Sequence, residues 1–241
     1  MKKILLFLML LSVFFVGCKS AQKAQTTGKT KSSTNKTKSS TNKTTKGAVI
    51  GAASGGVIGA IIGNKSKNTA IGAIIGAAAG GAVGAVIGSK MDKQAKKMEQ
   101  ELGEVATVER VGEGIKLTFN SQLLFDFGKA NLMESNKQTL QSFAQTLNEN
   151  PETDLLIVGH TDNVGSNTFN QTLSENRASM VSNYLVSNGV SNSRVRILGM
   201  GETQPSVSND TEGNRAQNRR VEIAITANEK MKAEAQKEVG Q

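Results

Sequence analysis

Two short stretches of this chain set opposite charges at a spacing that could hold a small ion. The first is Gly159-His160-Thr161-Asp162-Asn163-Val164-Gly165, and the second is Leu173-Ser174-Glu175-Asn176-Arg177-Ala178. Asp162 offers a carboxylate suited to an ammonium, and Arg177 a guanidinium suited to a carboxylate. Together they suggest a receptor for a zwitterion. Spacing alone equally allows the two to pair with each other. His160 is the sole histidine, and with Asp162 it could be read as half of a catalytic triad or of a metal site. Neither has the partners it needs: the chain has no second histidine, no G-x-S-x-G elbow and one cysteine, Cys18. The sequence therefore points away from an enzyme and implies no metal or cofactor. His160 is expected to orient its loop by hydrogen bonding. Gly159 and Gly165 should let that loop turn tightly, and Asn163 should cap its backbone.

The elements that must position these residues are legible from periodicity. Leu155 to Val158 is an apolar run that reads as a strand ending just before Asp162. Thr172 to Asn188 reads as a helix: Leu173, Ala178, Val181 and Leu185 recur near period 3.6, Thr172 with Glu175 looks like a capping box, and Gly189 is a stop. On that boundary Arg177 falls in the first turns, where a cation opposes the helix dipole and backbone N–H groups favour an anion. Upstream, Val105 to Val111 and Ile115 to Phe119 alternate around Gly112-Glu113-Gly114 and predict a strand pair. Glu134 to Asn150 places Leu140, Phe143, Ala144 and Leu147 on one helix face, closed by Pro151. Val195 to Leu198 and Val221 to Ile225 supply the remaining strands. This alternation predicts an α+β fold, an α/β sandwich with two helices on one face of a small mixed sheet.

The motif stretch resembles the OmpA-like C-terminal domain, whose pattern is an apolar strand, G-H-T-D, N, a loop and N-x-x-L-S-x-x-R-A. Leu124-Phe125-Asp126-Phe127, Gly199-Met200-Gly201-Glu202 with Pro205, and Asn218-Arg219-Arg220-Val221-Glu222 fit in the family's order. The resemblance runs from about Val105 to Thr226. It implies that Asp162 and Arg177 grip the free amino-acid end of diaminopimelate in peptidoglycan stem peptides, Asp162 taking the ammonium and Arg177 the carboxylate. Thr161, Asn163 and Asn170 occupy matching pocket or loop positions. Asn218 and Arg219 match the terminal motif, whose arginine is often structural in the family, and Arg220 could serve either purpose.

The net charge is +9, which invites a nucleic-acid partner, but its distribution argues against one. Residues 1–102 carry 16 Lys and Arg against 3 Asp and Glu, whereas residues 103–226 carry 10 against 14. No basic patch interleaved with aromatics exists, since aromatic residues are 4% of the chain. Lys2 and Lys3 followed by an apolar run from Ile4 to Val16 read as a signal segment. Phe15-Val16-Gly17-Cys18 resembles a lipoprotein box, in which the chain is cut before the cysteine and that cysteine is acylated. Residues 19–46 hold eight Lys, no acid and an exact repeat, Thr30 to Lys36 copied as Thr37 to Lys43, and so read as a tether without a core.

From Gly47 glycines fall four apart, at 47, 51, 55, 59 and 63 and again at 72, 76, 80, 84 and 88, in two uncharged runs separated by the polar residues 64–68. This spacing puts small residues on one helix face, as in helices that pack closely in lipid. It predicts a hairpin zipped through its glycines and resembles the glycine-zipper segments of envelope lipoproteins.

The organisation expected is a signal peptide (1–17), an acylated Cys18 with its tether (18–46), a glycine-zipper hairpin (47–88), a connecting polar helix (89–104), the OmpA-like domain (105–227) and a polar tail that reads as a frayed helix (228–241). The function expected is a non-enzymatic lipoprotein linking the outer membrane to peptidoglycan. Its acylated Cys18, and by the zipper pattern residues 47–88 as well, would contact the bilayer, with the C-terminal domain in the periplasm. The alternative is a glycine-zipper membrane homo-oligomer or pore that the C-terminal domain merely localises.

Overall fold

The computed structural model describes residues 68–126 and 128–240. The signal segment, Cys18, the tether and the first glycine run lie outside the described residues. A five-stranded sheet runs in the order β1-β2-β5-β3-β4, formed by β1 (Ala106–Val111), β2 (Gly114–Asn120), β3 (Thr153–Gly159), β4 (Val195–Gly199) and β5 (Arg220–Ala227). All pairings are antiparallel except β3 with β4, which requires the long crossover that a helix provides. That helix is α5 (Asn167–Ser187).

Side chains alternate along each strand, so each strand serves two layers. Ile115, Leu117 and Phe119 of β2, Leu155 and Ile157 of β3, and Val221, Ile223 and Ile225 of β5 join the main core. Five helices bury residues in that core, where two were expected on one face of the sheet: α2 (Gly81–Leu102), the short α3 (Ser121–Leu124), α4 (Glu134–Glu149), α5 and α7 (Glu229–Val239). Leu140, Phe143, Ala144 and Leu147 face inward on α4 as their spacing predicts. The C-terminal residues, expected to fray, instead form α7. Asn228 caps it by accepting from the backbone N–H groups of Lys230 and Met231, and Met231 and Ala235 are buried.

The opposite face of the sheet presents Leu156, Val158 and Ala224, and it too is covered. The helix α1 (Thr69–Ala77) lays Ala70, Ala73 and Ile74 on these residues. Asn68 tethers its start by donating to both carboxylate oxygens of Glu222, at 2.9 and 2.8 Å, and Thr69 donates through its N–H and hydroxyl to Gln204.

The second glycine run is thus split between two helices rather than continuous. Gly80 and Gly81 have φ of +73° and +59°, a conformation that side chains rarely adopt, and there the chain leaves α1 and enters α2. Glu113, in the β1–β2 turn, accepts from the N–H groups of Ala79 and Gly80, both at 2.7 Å. A Cβ at Gly84 would lie 2.0 Å from Oε1 of Glu113. The close approach that this glycine permits is to the β1–β2 hairpin of the same chain. α2 continues through the predicted connecting helix and buries Ile87, Met91, Ala95, Met98 and Leu102, too apolar a stripe for a polar connector. Among the described residues no helix is long and apolar enough to cross a membrane.

Truncating Ile74 tests the docking of α1. Ile74→Ala should lower unfolding free energy by about 2–5 kcal/mol, as for other buried aliphatic deletions, in urea titrations of the full chain. Wild-type stability would mean that α1 does not hold the sheet.

Candidate functional site

Helix α5 lies against the ends of β3 and β4 at two glycines. A Cβ at Gly159 would sit 2.0 Å from the carbonyl oxygen of Ser174, and one at Gly199 would sit 2.4 Å from Cγ and 2.7 Å from the backbone N of Glu175. Gly159 therefore serves close approach within an extended strand, not the turn expected of it. The turn belongs to Gly165, with φ of +108°. Helix α5 also begins earlier than the capping-box reading placed it. Ser166 is the N-cap, its hydroxyl accepting from Phe169 N at 3.2 Å, while Thr172 donates to Thr168 O inside the helix. Arg177 is consequently in the third turn, beyond reach of the helix-end N–H groups. What places it is the stripe Asn170, Ser174, Arg177, Ala178 and Val181, all buried at spacings of three, four or one.

The loop after β3 is fastened to α5 and to the loop after β4. Thr161 N donates to Gly201 O and its hydroxyl to Asp162 O, both at 2.9 Å. Asn170 Nδ2 donates to Asp162 O at 3.3 Å and to Glu202 Oε2 at 2.6 Å, and Ser174 Oγ accepts from Gly201 N. Asn163 is exposed at the tip of this loop. Asp162 is 7% exposed and has a partner for each oxygen: Val164 N at 3.0 Å on Oδ1 and Arg219 Nη1 at 2.6 Å on Oδ2.

Asp162 thus pairs with Arg219 and not with Arg177. Arg219 reaches further, to Glu212 Oε1 at 2.7 Å. Burial works against the Arg219 cation, but its bonds to Asp162 and Glu212 outweigh that and raise its pKa. Glu212 is correspondingly held below the usual carboxylate range, chiefly by Arg219.

Arg177 is the more unusual group. It is 3% exposed, donates through Nε to Lys129 O at 3.1 Å, and lies with Cζ 5.5 Å from the centre of the Phe125 ring. Its Nη1 has no hydrogen-bond partner among the described residues. Burial and then the neighbouring Arg219 cation push its pKa down to about 10, with Asp162 opposing. A pocket of about 300 Å³ opens beside it, lined by Arg177, Arg219, Ser121, Gln122, Phe125, Asp126, Gly128 and Met133. Two cations and a hydrophobic ring suit a small organic anion.

The other residues singled out lie elsewhere. Asn218, at the end of the short helix α6 (Glu212–Asn218), clamps the 206–209 loop, accepting from Ser206 N and Val207 N and donating to Val207 O and Asn209 Oδ1. Arg220 points to the α1 side of the sheet, where its Nε donates to Glu222 at 2.8 Å. His160 faces the same side and makes no loop-orienting hydrogen bond, contrary to expectation. Both its ring nitrogens lack a partner among the described residues, and Nε2 is 3.9 Å from Glu222 Oε2. Burial, then the Arg220 cation, hold its pKa well below the ordinary value. Residues that motif reading did not place in the pocket are Arg219, Ser121 and the Phe125–Asp126 wall. Strand alternation carried the signal for Arg219: with Val221 and Ile223 in the main core, residue 219 shares their side and residue 220 takes the other.

The mixed sheet, the G-H-T-D loop at the end of β3 and the buried arginine on the crossover helix together define an OmpA-like domain. The chain belongs to the OmpA family: the model of that family matches residues 124–219, and a YMGG-like Gly-zipper model matches residues 1–92. Probable lipoprotein YiaD of Escherichia coli (strain K12) is 39% identical over 183 residues, covering 74% of this chain and 84% of that protein. Outer membrane protein A of Bordetella avium is 40% identical over 115 residues, 48% of this chain and 59% of that protein's length. Among solved structures, a MotB-like protein from Desulfovibrio vulgaris shares the fold, with a TM-score of 0.54 at 24% identity over 58% of this chain and 93% of that one.

Two outcomes follow from the charges. Replacing a buried, incompletely bonded cation by an apolar side chain of similar length relieves desolvation, so Arg177→Met should melt a few degrees higher than wild type by circular dichroism. His160, with its folded pKa depressed, takes up a proton in the unfolded chain before it can in the folded one. Stability should therefore fall as pH drops below about 6.5, and urea titrations of His160→Gln between about pH 7 and 5.5 should lack that component.

Proposed function

We propose that this protein is a non-enzymatic lipoprotein of the bacterial envelope that tethers the outer membrane to peptidoglycan. The observation that carries this reading is the guanidinium of Arg177, buried with one donor face unused beside a pocket of about 300 Å³ and next to the Asp162–Arg219 pair. Family membership and the likeness to a protein named as a lipoprotein support it. The pocket takes the free amino-acid end of diaminopimelate in a stem peptide. Arg177 clamps the carboxylate, and Asp162 meets the ammonium by exchanging one of its internal partners. Thr161 and Asn170 hold the loop that carries Asp162, and Asn163 lies at its exposed tip. Asn218 and Arg220 brace the neighbouring loop and strand.

A charge-assisted hydrogen bond contributes about 1.5–3 kcal/mol, so two such clamps support roughly micromolar affinity. Many copies on one polymer make that sufficient. Cys18, acylated, anchors the chain in the outer membrane and leaves the C-terminal domain in the periplasm. A pore or oligomer built on the glycine zipper is less well supported, because α1 lays Ala70, Ala73 and Ile74 on the sheet and Gly84 of α2 lies against Glu113 in the β1–β2 turn of the same chain.

Pull-down on purified sacculi tests the pocket. Arg177→Ala and Asp162→Ala should each lose sedimentation with peptidoglycan while keeping the wild-type circular-dichroism spectrum. Full sedimentation of both variants would sink the assignment. Mass spectrometry of membrane fractions should find Cys18 N-terminal and acylated; an unmodified Cys18 would remove the anchor.

A further inference from the structure

Three buried donors at the pocket have no acceptor. Arg177 Nη1, Arg219 Nε and Ser121 Oγ each lack a hydrogen-bond partner among the described residues, and all three side chains line the same pocket. The residues are 3%, 7% and 2% exposed, so what these donors can meet beyond the protein is what occupies the pocket. Leaving one buried polar group unpaired costs about 1–3 kcal/mol, and three at one pocket are hard to retain for stability alone. Their placement follows from the sheet. Ser121 comes directly after β2 and Arg219 directly before β5, and Ser121 N donates to Arg219 O at 2.9 Å. Arg177 reaches the same pocket from α5. The two guanidiniums are mutually repelling cations, and of the acids around them Asp162 is already bonded on both oxygens and Glu212 is bonded to Arg219 and Arg215.

We propose that Ser121, Arg219 and Arg177 form a three-donor cradle for one carboxylate, and that the cradle makes the site selective for a free carboxyl over its amide. This rests on the peptidoglycan-binding reading and sharpens it to stem peptides whose bound carboxyl is unamidated. A carboxylate has only acceptor sites and can satisfy all three donors. A carboxamide replaces one oxygen by an NH₂ group, which finds no acceptor on either guanidinium and could donate only to the Ser121 oxygen, leaving that hydroxyl's own O–H unpaired. Gln122 and Asp126, the other lining side chains able to accept it, are on the exposed rim, Asp126 with Lys129 at 3.5 Å. Discrimination therefore comes from leaving a buried donor unpaired, the arrangement that gives large ratios between close analogues.

The test is calorimetric titration of the full chain in detergent with a diaminopimelate-containing tripeptide and with the same tripeptide amidated at the carboxyl next to its free amine. Wild type should prefer the acid by roughly tenfold or more, and Ser121→Ala should bind the acid roughly tenfold more weakly while binding the amide nearly as wild type does. Thermal melts of Ser121→Ala should be no lower than wild type, since the change removes an unpaired buried hydroxyl. If Arg177→Ala abolishes binding but wild type takes acid and amide equally, or Ser121→Ala keeps the full preference, the cradle is wrong and the pocket stands. If Arg177→Ala binds the acid as wild type does, the peptidoglycan-binding assignment of this pocket itself fails.

Discussion

The site depends on a steric constraint: α5 rests on β3 and β4 where no Cβ intervenes. With hydrogen atoms at Gly159 and Gly199, the backbone of Ser174 and Glu175 can sit on the sheet's edge. Any side chain there would have to displace the helix by an ångström or more. Because the approach is fixed one turn before Arg177, the guanidinium is delivered to one place by a rigid element. The same contact brings the loop after β3 within reach of Asn170 and the loop after β4 within reach of Ser174. Packing, not a local turn preference, is what aims the charges.

Electrostatics then divides the charged residues into two systems on opposite sides of the sheet. On the α5 side, Asp162, Arg219 and Glu212 form a connected chain that is satisfied at most of its atoms, and Arg177 stands beside it with burial weakening its hold on its proton. On the α1 side, Arg220, Glu222 and Asn68 form a closed cluster, with His160 held neutral beneath it. The first system has unfilled donors and a pocket. The second is tied to the start of α1. Adjacent arginines, 219 and 220, thus do different work because a strand turns successive side chains to opposite faces.

Much of this was legible from residue types. Alternation gave the strands, the 3.6-residue period gave α4 and the body of α5, and the motif order gave the fold. What failed had local causes. The start of α5 was misread because Thr172 and Glu175 imitate a capping box, whereas Ser166, in a polar stretch without apolar periodicity, is the residue that caps. The C-terminal helix reads as frayed because its two buried residues, Met231 and Ala235, are few, and its docking against α2 leaves no local trace. Arg219 was discounted because a charge pair that spans 57 positions, to Asp162, leaves no trace in spacing. The glycine run is ambiguous in the same way. Small residues every fourth position state that something comes close, and not whether it is lipid, another helix or a glutamate in a hairpin turn.

The covering of the sheet by α1 has a consequence for where the folded unit begins. The segment shared with the OmpA family model starts at residue 124, after β1 and β2, and omits both helices that the second glycine run supplies. A fragment cut to those limits would bare Leu156 and Val158 on β3 and lose three of the five strands, β1, β2 and β5. A piece that keeps this face of the sheet covered therefore begins no later than Asn68, so the second half of what looks in sequence like a membrane-style appendage has to be expressed as part of the globule.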